Sequence, residues 1–316
     1  MKKAFEKLNL RDYGVLLGFL ALCIAISIAT PSFLGKQNIL NLLRQSSIIG
    51  IISAGMTFVI ISGNFDISVG AVAALAGAIT MKFATGGTNL FASMLLGVAI
   101  CAVIGLINGI VVAKINVPSL IATMAMVTIV RGLLLMLTGG YPITENIPIL
   151  DYIGNGYLFN IPIPVVIFFI VVLVSFIVLN KTKFGRYVYS VGGNQEASKL
   201  NGINVDSHKV KVFIINAVLA GIAGIVLTGR LGTATAIAGE GYDMDAIASV
   251  VIGGTSVAGG SGSVLKTVIG VLLMSVINNS FNLLGIDVYF QYIFKGLIIL
   301  AAVGFDSYSK KKLVSR

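Results

Sequence analysis

Apolar residues run through the chain in long blocks, broken by short polar or glycine-bearing stretches. The run 165–179 is typical, with Pro162 and Pro164 on one side and Lys181 on the other. A transmembrane helix needs roughly 20 mostly apolar residues. By that measure the pattern predicts ten candidate spans, at about 13–30, 47–62, 68–85, 92–112, 119–138, 163–180, 210–229, 243–258, 264–282 and 288–305. Several are short and carry glycine, which is the mark of tilted, broken or re-entrant helices. The expected fold is therefore all-α and polytopic, with about ten transmembrane helices in one domain over 1–316. A first half (about 1–180) and a second half (about 210–316) flank a polar centre (about 181–209).

The polar connections differ in kind. Segment 38–44 reads as an interfacial helix, and 139–164 as an irregular external loop. The central loop predicts a short helix at about 195–201. Asn194 is a good N-cap, Glu196 and Ala197 favour helix, and Gly202 suits a left-handed cap at its end. A capped helix in a connecting loop is well placed to dock into a groove on a cytosolic partner.

Composition agrees with the class: 57% of the 316 residues are hydrophobic and only 11% are charged. Soluble domains carry roughly 25% charged residues. The net charge of +10 does not indicate nucleic acid, because basic loops hold membrane proteins on the cytoplasmic side. With both termini inside, 16 of the 22 Lys and Arg residues fall on the cytoplasmic side. The expected location is the bacterial plasma (inner) membrane. The basic start and the apolar run after it read as a retained first helix rather than a cleaved signal peptide. Cys23 and Cys101 sit inside apolar runs and suggest neither disulfide nor metal.

Three features recur in order in the two halves. Phe65-Asp66, Asn108 and Arg131-Gly132-Leu133 are followed by Tyr242-Asp243, Asn278 and Lys295-Gly296-Leu297. In the predicted topology their spans run in opposite directions, the plan of an inverted repeat. Ionisable groups inside a membrane are costly and face a protein interior or a wet cavity. Asp66, Arg131, Asp243, Asp245 and Lys295 either line such a path or fix helix register, and the acids also suit helix N-termini. Asn108, Asn278, Asn279 and Asn282 either line a route for a neutral polyol or join helices. Gly105 and Gly109 fit close helix packing, as do Gly14 and Gly18. The single histidine, His208, reads as a solvated loop side chain. The glycines from Gly254 to Gly260 imitate a phosphate loop but lack its lysine, so they read as a tight turn or close packing. No catalytic constellation appears, and no cofactor is expected on this chain.

At the central loop, Glu196-Ala197-Ser198 with Gly202 resembles the EAA-x-x-x-G motif of ATP-binding-cassette importer permeases, with Ser198 in place of the second alanine. Arg186, Gly192, Gly193 and Asn194 around it are similar to the ribose-type branch. So are the stretches from Met56 to Ile60, from Asp66 to Gly70 and from Gly241 to Ser256. This resemblance implies a ten-helix, type II importer-like permease working as a dimer, commonly of two identical chains. It further implies a cytosolic subunit that binds ATP and Mg, and an extracytoplasmic binding protein delivering ribose or a related monosaccharide. Gly193, Asn194, Glu196, Ala197, Ser198, Gly202 and Arg186 are then the ATPase-coupling residues, and Glu196 anchors the coupling helix. Asp66, Asn108, Arg131, Asp243, Asn278, Asn279 and Asn282 are the translocation-path candidates. Two other classes compete: an ion-coupled secondary carrier of a small polar solute, whose intramembrane acids would titrate in the path, and a channel or scaffold independent of ATP.

Overall fold

The computed structural model describes residues 10–314, with side chains described over 15–304. The tail residues Lys2, Lys3, Lys7 and Arg316 lie outside the described residues. Thirteen α-helices account for most of the described chain: α1 (Leu10–Ala29), α2 (Lys36–Ile61), α3 (Val69–Thr85), α4 (Leu90–Ala113), α5 (Ser119–Thr138), α6 (Pro148–Asn155), α7 (Ile163–Lys181), α8 (Lys183–Gly193), α9 (Gln195–Leu200), α10 (Val205–Leu231), α11 (Tyr242–Ile252), α12 (Val264–Leu283) and α13 (Val288–Val314). Six of them, α2, α4, α5, α7, α10 and α12, are long and apolar enough to cross a membrane. α3 and parts of α1 and α13 are shorter apolar helices.

Each of the ten candidate spans contains a helix, but the one expected at 243–258 is only the 11-residue α11. At 1.5 Å per residue it covers roughly half of a ~30 Å hydrocarbon core. Three connections also differ from expectation. Segment 38–44 is not a separate interfacial helix but the first turns of α2. Its polar residues find partners inside the protein: Asn38 and Asn279 exchange hydrogen bonds at 2.8 and 3.0 Å, and Arg44 donates to the Asn155 carbonyl at 3.1 Å. The loop 139–164 contains α6, which opens on Pro148 at its first turn. Segment 183–193 is the helix α8, capped by Thr182, whose hydroxyl accepts from the Gly185 N–H at 3.2 Å.

The core is built around α2 and α10. α2 packs on α11 and α12 of the second half, while α10 packs on α3 and α4 of the first. Glycine lets the backbones meet. A Cβ on Gly105 would lie 2.6 Å from the Phe213 carbonyl, and one on Gly109 would lie 2.7 Å from the Val210 Cα, so both sit against α10 as expected of them. Gly18 has nothing near it. The most apolar helix, α7, keeps a largely exposed outer face, as lipid allows.

Side-chain bonds give the relative heights. Arg44 on α2 reaches Asn155, whose amide donates to the Gly229 and Arg230 carbonyls at the end of α10. Further along, Gly55 of α2 packs against Asn216 of α10. The two helices are therefore antiparallel. The loops after α5 and α10 meet on the Arg230 side, where Ile143–Thr144 pairs antiparallel with Thr233–Ala234.

The helical path is interrupted at two places. The chain leaves α2 at Ile61 and is non-helical before α3. It leaves α10 at Leu231 and, apart from the two-residue strand Thr233–Ala234, is irregular until α11 begins. The breaks meet: a Cβ on Gly70 would lie 2.3 Å from the Gly239 carbonyl, and Gly239 has φ +68°, which glycine adopts without strain. The same bond recurs beside each break. Asn108 of α4 donates to the Ser68 hydroxyl at 3.1 Å, and Asn278 of α12 donates to the Asp245 carboxylate at 3.3 Å. Ser68 and Asp245 each stand two residues after the repeated acids Asp66 and Asp243.

Candidate functional site

Two regions carry the predicted site residues. One is the segment α8–α9. Asn194 accepts from the Ala197 N–H at 2.9 Å and so starts α9. Gly202, at φ +77°, ends it, with the Gly202 and Ile203 N–H groups donating back to the Lys199 and Ser198 carbonyls at 2.9 and 3.0 Å. Ser198 is buried and its hydroxyl lies 2.9 Å from the Ser190 hydroxyl. That pair makes serine a stable replacement for alanine here. Lys209 of α10 holds Gln195 at 2.9 Å. Glu196, Ala197 and Arg186 face outward, and Leu200 is 89% exposed.

His208 is not a solvated loop residue. It lies in α10, stacked on Phe184 at 5.8 Å and edge-on to Tyr187 at 5.1 Å, with Nδ1 2.9 Å from the Asn204 carbonyl. These rings fasten α8 to α10.

The far end of α8 touches both halves of the bundle. Gly192 packs on the Ile61 carbonyl, which also accepts the Gly260 N–H at 2.8 Å. Gly193 packs beside Gly260. The Tyr189 hydroxyl donates to the Gly262 carbonyl at 3.0 Å, and burial pushes that phenol above its ordinary pKa, so it keeps its proton. The glycines from Gly254 to Gly260 are thus a tight turn in close packing. Ile61 is where the chain enters the first break, and the 253–263 turn directly follows α11.

The second region lies at the breaks. A cavity of about 490 Å³ opens between α3, α5, α11, α13 and the 239–241 turn. Arg131, Glu240, Asp243, Thr128 and Tyr292 line it, among apolar side chains. Arg131 Nη1 donates to the Ala236 and Ala238 carbonyls, the latter at 3.2 Å. Asp243 stands in the first turn of α11, where the helix dipole favours an anion.

Of the seven translocation-path candidates, only Arg131 and Asp243 line this cavity. Asp66 is buried, accepting from the Ser68 N–H at 2.9 Å, the Ser68 hydroxyl at 2.6 Å and Asn216 at 2.9 Å. Asn108 and Asn278 are buried in the paired bonds described above. Asn279 is joined to Asn38, and Asn282 accepts from Gln291 at 3.3 Å. Asp245 binds Lys295 at 3.1 Å. Sequence reasoning passed over Glu240, Thr128 and Tyr292. Glu240 carried a signal, since a charge held between two glycines in an apolar region has a turn-specific place.

The chain resembles sugar permeases along nearly its whole length. It is 44% identical to the ribose import permease protein RbsC of Haemophilus influenzae, covering 93% of this chain and 94% of that one. It is 43% identical to RbsC of Bacillus subtilis, over 94% and 93%, and 39% identical to RbsC of Escherichia coli K12, over 97% of each. No solved structure matches it. The family described as the permease component of branched-chain amino acid transport systems matches residues 38–303, from the first turn of α2 well into α13. The chain belongs to this family of membrane-spanning transport permeases.

Proposed function

We propose that this chain is the membrane subunit of an ATP-driven importer for ribose or a closely related monosaccharide. The observation that carries the reading is the 39–44% identity with ribose import permeases across at least 93% of the chain. The partners follow: a second permease chain of the same kind, a cytosolic subunit holding ATP and Mg, and an extracytoplasmic binding protein that delivers the sugar. Both termini and the α8–α9 segment face the cytoplasm, in keeping with the basic residues of segment 181–211.

The geometry supplies a route for force. ATP binding draws the cytosolic subunits together, and α9 moves with the groove that holds it. Exposed Leu200 is the apolar anchor, with Glu196 and Lys199 beside it. α8 transmits the shift to Ile61 and Gly260, and so to both broken segments at once. Loaded binding protein drives the cycle only through contacts that differ between the outward and inward states. The ion-coupled carrier is not favoured, because the relatives are import permeases; of its three candidate acids, Asp66 and Asp245 are occupied by bonds within the bundle and only Asp243 faces open space.

The test is sugar uptake in proteoliposomes holding the complete complex. Glu196→Lys and Gly202→Pro are each expected to lower ATP-driven uptake by about tenfold or more, as loss of an interface anchor does, while the chain remains inserted. Proline cannot reach φ +77°, so the second change deforms the exit of α9. Uptake that ignores ATP and follows a proton or sodium gradient would overturn the proposal.

A further inference from the structure

We infer that the cavity between α3, α5, α11 and α13 is the transit site for the sugar, with Asp243 and Glu240 accepting its hydroxyls and Arg131 donating to them. The inference rests on the importer reading above and adds the place and the residues. The cavity's volume of about 490 Å³ falls within the ~300–1,000 Å³ usual for small-molecule sites. Its chemistry is mixed in the way a polyol requires. Two carboxylates offer only acceptors, a guanidinium offers only donors, and the Thr128 and Tyr292 hydroxyls offer both. Arg131 commits Nη1 to the Ala236 and Ala238 carbonyls, which fixes the fork and leaves its other N–H groups for a ligand. The carbon face of a sugar ring has apolar walls to lie against, including Val127 and Met244.

The position suits transit. The cavity lies where the two chain breaks meet, with Gly70 and Gly239 in its lining. Ile67 and Gly70 border the first break, and Asp243 and Met244 begin α11. Because α8 grips Ile61 at the entry to the first break and the turn just after α11, one displacement reshapes both walls. Asp66, Asn108, Asp245 and Asn278 are held by bonds to neighbouring side chains. Here the polar side chains converge on open space, and Met244, 42% exposed, and Tyr292, 60% exposed, stand at its mouth.

The complete complex with saturating loaded binding protein, reconstituted in proteoliposomes, tests this by measuring ribose uptake and ATP hydrolysis together. Asp243→Asn combined with Glu240→Gln is expected to lower sugar moved per ATP by about tenfold or more, since each hydrogen bond to a charged group contributes a comparable factor. ATP hydrolysis stimulated by the binding protein should stay within about twofold of the native complex. A second variant, Met244→Trp, narrows the mouth at an exposed position and is expected to slow a hexose more than a pentose. Unchanged sugar per ATP in the first variant, with unchanged pentose-to-hexose preference in the second, overturns the transit site and leaves the importer standing. A native complex that moves no sugar with ATP, or moves leucine in its place, overturns the importer reading itself.

Discussion

Replacing Gly192 by alanine is expected to abolish ATP-driven uptake, whereas the same change at its neighbour Gly193 is expected to be nearly silent. A Cβ on Gly192 would stand 1.7 Å from the Ile61 carbonyl oxygen and 2.8 Å from the Gly260 nitrogen. Both are backbone atoms, so no side-chain rotation relieves the clash. Either α8 lifts away from α2 or the Gly260-to-Ile61 hydrogen bond opens. Overpacking of this kind costs about 1–3 kcal/mol, and a buried hydrogen bond left open costs about 1–3 kcal/mol more. At Gly193 the nearest atom to a new Cβ is the Gly260 Cα at 3.9 Å, an ordinary contact. The pair therefore separates the tight joint from any general need for glycine. The check is uptake and thermal stability of the two purified complexes, measured side by side. Equal behaviour of the two variants would show that α8 does not pass its motion through Ile61.

That joint was invisible in the sequence, although the helix beside it was legible. α9 is decided by local chemistry: Asn194 caps its start, Gly202 takes a left-handed turn at its end, and both lie within eight residues. The overall class was legible for a similar reason, since each long apolar run specifies a helix by itself. Features that depend on distant partners were not. The polar start of α2 reads as interfacial until Asn279, 241 residues away, is placed against Asn38. α11 reads as a full span from its apolar run, although the glycines from Gly253 onward carry a local signal for its end; Gly253 itself packs on the Lys266 carbonyl and the Thr267 Cα of α12. Among the site residues, Asp66 and Asp243 carry the same repeat signature yet end in different surroundings. One is sealed by Ser68 and Asn216, and the other lines an open cavity. Periodicity marks which face a residue takes, and only the packing shows whether that face is filled.

The two halves also solve one problem in two ways, and the difference sets the second large effect. Beside the first break Asn108 binds a neutral hydroxyl, Ser68; beside the second Asn278 binds a carboxylate, Asp245, which is 3% exposed. A buried charge needs a partner, and Lys295 of α13 supplies it, with Nζ 3.1 Å from both carboxylate oxygens. The pair holds α13 to the short helix α11. Lys295→Met is therefore expected to destabilise the protein by about 3–5 kcal/mol, because it strands a buried anion. Asp245→Ser alone strands the lysine in its place and should also destabilise, since a cation inside a membrane-spanning segment needs a partner. The double variant, Asp245→Ser with Lys295→Met, reproduces the neutral arrangement of the first half. It is expected to be more stable than Lys295→Met alone, even though it carries one more substitution. Thermal unfolding of the four purified proteins closes the cycle. If the two single effects simply add, the lysine and the aspartate are not energetically coupled, and α11 is held in place by its packing against α2 and α12 instead.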